Sequence, residues 1–250
     1  MNAADSHCEG LKENVLAAYC FICHNYDCEE DEIYLLGFSR GAYTARCIAH
    51  LINDLGLLTK SGLFKLLPLF DLWKKEEFKS LQVEVEKLEK QGETKRSIRV
   101  KACAVWDTVS SIGIPILPKR KFKFVHSDLC ANIDNAFQAL GLHEHRRNFL
   151  PVVWKYPKPA DPKPADPKPV LKQCWFLGYH SDIGGGKKTE TFAHLSLVWM
   201  MSQLEDFISF DIDRLGDSGF MSSEQIASSW RVSNPRTGAK GMFSVNPPKR

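Results

Sequence analysis

The sequence lacks a strong excess of charge of either sign and lacks any long apolar run. Its 33 basic and 30 acidic residues leave a formal charge of +3, with no basic stripe interleaved with aromatics, so nucleic acid is not an implied partner. No stretch approaches the roughly 18 consecutive apolar residues that a membrane-spanning helix needs. The opening residues Met1-Asn2-Ala3-Ala4-Asp5-Ser6-His7-Cys8 are polar and do not read as a secretory signal, so the sequence predicts a cytoplasmic chain without a transmembrane segment. Two common catalytic strings are also missing. His143-Glu144-His145 does not have the His-Glu-x-x-His spacing of zinc hydrolases, and Gly184-Gly185-Gly186 is followed by Lys187-Lys188-Thr189 without phosphate-loop spacing.

A completed cysteine motif is absent too, although there are eight cysteines. Cys20-Phe21-Ile22-Cys23-His24, with Cys28 just beyond, has zinc-ligand chemistry and matches a c-type haem attachment string. No second Cys-x-x-Cys pair follows, no export signal precedes it, and Cys20 lies well inside a helical run, where a redox dithiol is poorly placed. These residues read as free thiols on a packing face, and neither a metal nor an organic cofactor is expected.

What is present is enough apolar residue, 44% of 250, to bury the core of one α/β domain. The expected organisation is a single domain over 1–205, with a cap-like helical insertion at 60–96 and a Pro-rich loop at 156–170. Residues 206–250 read as a loosely ordered extension. In the loop, Ala-Asp-Pro-Lys-Pro is repeated in perfect tandem, and prolines this dense enter neither helix nor sheet interior.

The chain is organised around residues 33–49. Ile33-Tyr34-Leu35-Leu36 reads as a strand, Gly37-Phe38-Ser39-Arg40-Gly41 as a sharp turn, and Ala42, Ala45, Ile48 and Ala49 fall at helical spacing. Strand, turn and helix around Gly-x-Ser-x-Gly form the pattern of a nucleophile elbow. Such a turn holds the Ser39 hydroxyl out of the fold, Gly37 and Gly41 remove side chains that would collide with strand or helix, and the first free N–H groups of the new helix begin at Arg40. Those donors and the positive end of the helix dipole suit a developing oxyanion. The alternative is a glycine-rich turn whose serine caps the helix.

A helix is predicted over 11–26, a strand over 98–106 and helices over 131–140 and 192–201. The apolar part of 63–73 suits a cap, and the charged run 74–90 suits a solvated helix. Asp107 follows the strand at 98–106, where α/β folds keep their chemistry, though it could instead cap the next turn. His180 follows a short strand, on a loop freed by glycines, with the exposure a general base needs. His194 is the competing base, but it sits within a helical run that reads as packing. The cluster His143-Glu144-His145-Arg146-Arg147-Asn148-Phe149 reads as a helix end carrying structural ion pairs. Ser39, Asp107 and His180 occur in the chain order of α/β-hydrolase triads.

Four motifs in order resemble one family: Gly-Phe-Ser-Arg-Gly-Ala-Tyr-Thr-Ala-Arg (37–46), Val-Trp-Asp-Thr-Val (105–109), Glu-His-Arg-Arg-Asn-Phe-Leu-Pro (144–151) and Trp-Phe-Leu-Gly-Tyr-His-Ser-Asp-Ile-Gly-Gly-Gly (175–186). They are similar to the domain of type VI secretion phospholipase effectors and their fungal and bacterial relatives, over about 11–201. The resemblance implies an α/β-hydrolase with a mostly parallel sheet flanked by helices, Ser39 as nucleophile, Asp107 as orienting acid and His180 as base. It also places Asp182 and the glycines beside the site in a supporting role. The substrate it implies is a small-molecule or lipid ester, in the effectors a phospholipid. Family members open with a strand ending in Asp-Gly-Thr, whose loop faces the serine, and no such stretch precedes residue 11. The expectation is therefore a domain short of its first strand or strands, either a serine hydrolase or a catalytically impaired module that binds.

Overall fold

The structure is a computed structural model, and it describes residues 3–109, 127–146, 149–156, 169–186 and 191–211. In chain order, helix α1 (Ala3–Asn25) precedes strand β1 (Tyr34–Phe38), helix α2 (Arg40–Leu55) and the short strand β2 (Leu57–Leu58). A 3-10 turn (Gly62–Lys65), α3 (Leu66–Lys74) and α4 (Phe78–Lys90) lead to β3 (Thr94–Lys95), which pairs antiparallel with β2. Strands β4 (Val100–Trp106), β5 (Ile133–Gly141) and β6 (Val170–Phe176) follow, then α5 (His180–Gly184) and α6 (Thr191–Leu204).

Among the described residues the main sheet has four strands in the order β1-β4-β5-β6, all parallel and flanked by helices. Among the described residues β1 pairs on one side only, with β4. Parallel pairing aligns the carboxyl ends of all four strands along one rim, which is where open α/β sheets collect ligand-binding groups.

The two faces of the sheet are packed differently. On one, Cys103 and Val105 of β4 and Ala136 of β5 share a core with Tyr19 of α1 and with Ile48, Leu51, Ile52 and Leu55 of α2. Leu51, Ile52 and Leu55 are wholly buried, and burial of each contributes about 1.5–3 kcal/mol. On the other face, Ala102, Ala104 and Ala139 leave little bulk above the strands, and Phe137, Ile183, Met200 and Leu204 fill the space. The small side chains let α5 and α6 settle onto the sheet.

Residues 131–140 form a strand, not the expected helix. From Ala136 to Leu140 every side chain of β5 is buried, because β4 and β6 lie on either side and helices cover both faces. A strand buried in this way carries no polar alternation, so its run of apolar residues and alanines mimics a buried helix.

The stretch 63–73 joins the core instead of standing clear of it. Leu66, Leu69, Phe70 and Trp73 are buried with residues of α1 and α2, and Trp73 Nε1 donates to Asp54 Oδ2 at 2.8 Å. Asp54 is at the far end of α2 from Ser39, about 22 Å along the helix axis at 1.5 Å per residue. The charged run becomes α4, which buries only its edge of Leu81, Val85 and Leu88. Among the described residues no helix is long and apolar enough to cross a membrane. The proline repeat at 157–168 and residues 212–250 lie outside the described residues.

Candidate active site

Ser39 stands between the last residue of β1 and the first of α2, with φ 60 and ψ −119. That conformation is costly for any residue with a β-carbon, and it persists because both flanking elements are fixed. On the strand side, Ser39 N–H donates to Trp106 O at 3.0 Å, and on the helix side Ser39 O accepts from Tyr43 N–H at 3.2 Å. Gly37 makes the reversal possible: a β-carbon there would lie 2.5 Å from the Gly41 carbonyl and 2.7 Å from Ala42 N. Gly41 has a different role from the one expected, since a β-carbon there meets nothing within 4 Å. It leaves open space beside the start of α2, where the N–H groups of Arg40, Gly41 and Ala42 have no partner four residues back in the helix.

Asp107 follows β4 and also has a positive φ, 44, in a residue with a side chain. Its N–H donates to Ala139 O at 2.8 Å, which ties it to β5, and its carboxylate is wholly buried. Oδ1 accepts the Gly141 N–H at 2.9 Å, leaving Oδ2 for the imidazole.

His180 is the first residue of α5, rather than part of a free loop, and only 4% of its surface is exposed. Its Nδ1 lies 2.7 Å from Asp107 Oδ2 and its Nε2 lies 2.7 Å from Ser39 Oγ. With the carboxylate as acceptor, the proton belongs on Nδ1, which makes Nε2 the acceptor for the serine hydroxyl. Three residues spread over 141 positions of the chain are thus joined in one hydrogen-bonded line. The site also depends on a close approach at Gly184, where a β-carbon would fall 2.2 Å from the Phe38 ring.

Asp182 is buried one turn into α5, where its Oδ2 accepts the Tyr179 N–H at 2.8 Å. This bond satisfies a donor at the start of the helix that carries His180. His194, the competing base, lies on α6.

Several residues of the site had no role readable from the sequence. The His180 ring packs against Phe38, at 4.6 Å between ring centres, and against Phe149, at 5.0 Å with the two rings 67° apart. Glu144 and Arg146 form an ion pair in the turn after β5, not at a helix end. Burial works to raise the Glu144 pKa, but hydrogen bonds from the Arg146 side chain and backbone and from His180 N–H outweigh it and bring it below the ordinary value. Further along α2 from Ser39, buried Arg46 donates to Val152 O at 2.6 Å and stacks 4.5 Å from the Trp154 ring centre. Burial lowers its pKa to about 10. Arg46 and Glu144 are both inside motifs visible in the sequence; the fold brings Val152 and Trp154 to Arg46 and His180 to Glu144.

The cysteine cluster lies apart from this site. Cys20 and Cys23 are half-buried on α1, and burial pushes the Cys23 thiol up to about 11. His24 Nδ1 is 2.6 Å from the Cys20 carbonyl oxygen. Among the described residues no three His, Cys, Asp or Glu side chains gather in a way that could hold a metal ion.

The family model described as the T6SS phospholipase effector Tle1-like catalytic domain matches residues 3–203. The chain belongs to this family. The matched span of the Tle1-like domain contains Ser39, Asp107 and His180 together with Glu144 and Arg146. Among curated proteins it is similar to the uncharacterized protein YEL023C of Saccharomyces cerevisiae, 30% identical over 112 residues. That alignment covers 42% of this chain and 16% of the yeast protein. A crystal structure of an uncharacterized protein from Pseudomonas aeruginosa aligns with 87% of this chain and 29% of that one, at 14% identity and a TM-score of 0.38.

Proposed function

We propose that this Tle1-like domain hydrolyses carboxylic esters of lipids, phospholipid acyl esters among them, and that residues 1–205 act as one hydrolase domain. The proposal rests on the unbroken line of hydrogen bonds from Ser39 Oγ through the His180 imidazole to Asp107, 2.7 Å at each step. A serine hydroxyl is a weak nucleophile until a base takes its proton, and the base must present the correct nitrogen. Here His180 Nε2 faces the hydroxyl while Asp107 holds the other nitrogen protonated.

In the first step Ser39 Oγ attacks the acyl carbonyl and His180 Nε2 accepts its proton. The carbonyl oxygen takes the negative charge and lies against the Arg40 N–H and the positive end of α2, in the space left by Gly41. The tetrahedral adduct collapses, the ester oxygen leaves with the proton from His180, and the acyl group stays on Ser39. Water then repeats the sequence, with His180 as base, to release the carboxylic acid and restore the serine.

Labelling with a fluorophosphonate probe tests the proposal. The expected result is a single adduct on Ser39 in folded protein, lost in Ser39→Ala, together with fatty acid release from phospholipid vesicles. Folded protein that gives no adduct and releases no acid would reject the hydrolase and favour a domain of this fold that only binds.

A further inference from the structure

We infer that Glu144 is a positioning residue that holds His180 from both ends, by its backbone directly and by its ring through Arg146 and Phe149. The inference rests on the hydrolase proposal and adds to it a device for setting the base.

The segments on either side of the site run together. Leu142 N–H donates to Phe176 O at 2.9 Å, His143 N–H to Gly178 O at 3.0 Å, and Gly178 N–H to His143 Nδ1 at 2.9 Å. These bonds extend the β5–β6 pairing past the sheet to Glu144. The Glu144 side chain is fully buried, and its Oε2 accepts the His180 N–H at 3.3 Å. As the first residue of α5, His180 has an N–H with no partner within the helix, so a carboxylate from the neighbouring turn is what satisfies it.

The second hold runs through Arg146. Glu144 Oε1 accepts the Arg146 N–H and Nε–H, each at 2.9 Å, and Oε2 accepts Nη2–H at 2.7 Å. Pinned in that fork, the guanidinium lies 3.9 Å from the centre of the Phe149 ring, and the Phe149 and imidazole rings meet edge to face at 67°. Phe38 also packs against the imidazole, 4.6 Å between ring centres. A surface ion pair could be lost at little cost, but a buried carboxylate with four donors fixes every group it touches. Because Arg146 balances its charge, Glu144 can fix the base without placing a net negative charge beside it.

The purpose of such a clamp is the serine–imidazole geometry, since a displacement of about 1 Å at a reacting group can cost on the order of 100-fold in rate. Glu144→Ala, Glu144→Gln and Phe149→Leu in the full chain test it, with a soluble short-chain aryl ester as substrate. The expected result is a kcat about 100-fold lower for Glu144→Ala and about tenfold lower for the other two, with KM within about twofold. The downfield proton resonance of the His180 Nδ1–H bond to Asp107 should broaden in Glu144→Gln at a temperature where that variant, less stable than the wild type, is still fully folded. Folded Glu144→Gln and Phe149→Leu proteins with wild-type kcat and an unchanged resonance would overturn the inference, and so would a loss of kcat that only follows the unfolded fraction. If the wild type itself neither hydrolyses esters nor takes the probe, the hydrolase proposal fails, and the proton resonance still decides the role of Glu144: broadening in Glu144→Gln supports it and no change overturns it.

Discussion

Gly184 sits under Phe38 at a distance that no side chain could share, its missing β-carbon falling 2.2 Å from that ring. Phe38 in turn lies 4.6 Å from the His180 ring, so the packing of α5 on the end of β1 sets the height of the imidazole above Ser39.

Substitution Gly184→Ala is therefore expected to push α5 off Phe38. Overpacking of this kind costs about 2 kcal/mol of stability, and the displaced imidazole should lower kcat on the order of 100-fold. Urea unfolding and ester hydrolysis measured on the same preparation check both. A folded variant with unaltered kcat would show that α5 does not set the imidazole.

Ser39→Gly separates strain from chemistry. The φ of 60 costs a serine free energy that a glycine does not bear, so the variant should unfold at higher denaturant, a gain of about 1 kcal/mol, while ester hydrolysis disappears. Equal or lower stability would mean that the turn stores no strain.

Asp107→Asn keeps the size of the side chain and an acceptor for the Gly141 N–H, but it can present an amide N–H to His180 Nδ1. That would favour the tautomer with its proton on Nε2, facing Ser39, where it cannot serve as base. A loss of about a thousandfold in kcat with little change in KM is expected, read from steady-state kinetics on a soluble ester.

Acid should loosen the fold in part through Glu144. Its folded-state pKa lies below the ordinary carboxylate value, so it contributes stability that is present above that value and is lost as pH falls through the lowered one. Urea midpoints followed downward from about pH 6 should fall more steeply for the wild type than for Glu144→Gln. Parallel slopes would contradict the direction of the shift.

Much of this architecture was legible in the residues, for a local reason. Ser39 is set by glycines and a strand-to-helix switch within a few positions of it, and Asp107 and His180 each follow a short apolar strand that ends at a turn. The misread segment, 131–140, failed because a strand enclosed on both faces and both edges keeps no periodic polar signature. Glu144, Arg146 and Phe149 were visible as a cluster but not as a clamp. Their role depends on the turn after β5 lying alongside the approach to α5, a tertiary fact that spacing does not carry. Gly41 looked like Gly37 in the string, yet only Gly37 is crowded by backbone.

Ser39 and Asp107 are each tied to the adjacent strand by their own backbone N–H, to Trp106 O and Ala139 O. Reactive groups anchored in this way are insulated from the length and composition of whatever chain joins one strand to the next. Connections other than the β5–β6 turn that carries Glu144 and Phe149 can therefore be lengthened, exchanged or decorated while the spacing of the Ser39 alcohol and the Asp107 acid stays constant, so under the proposed hydrolysis this sheet is a scaffold on which substrate preference can diverge.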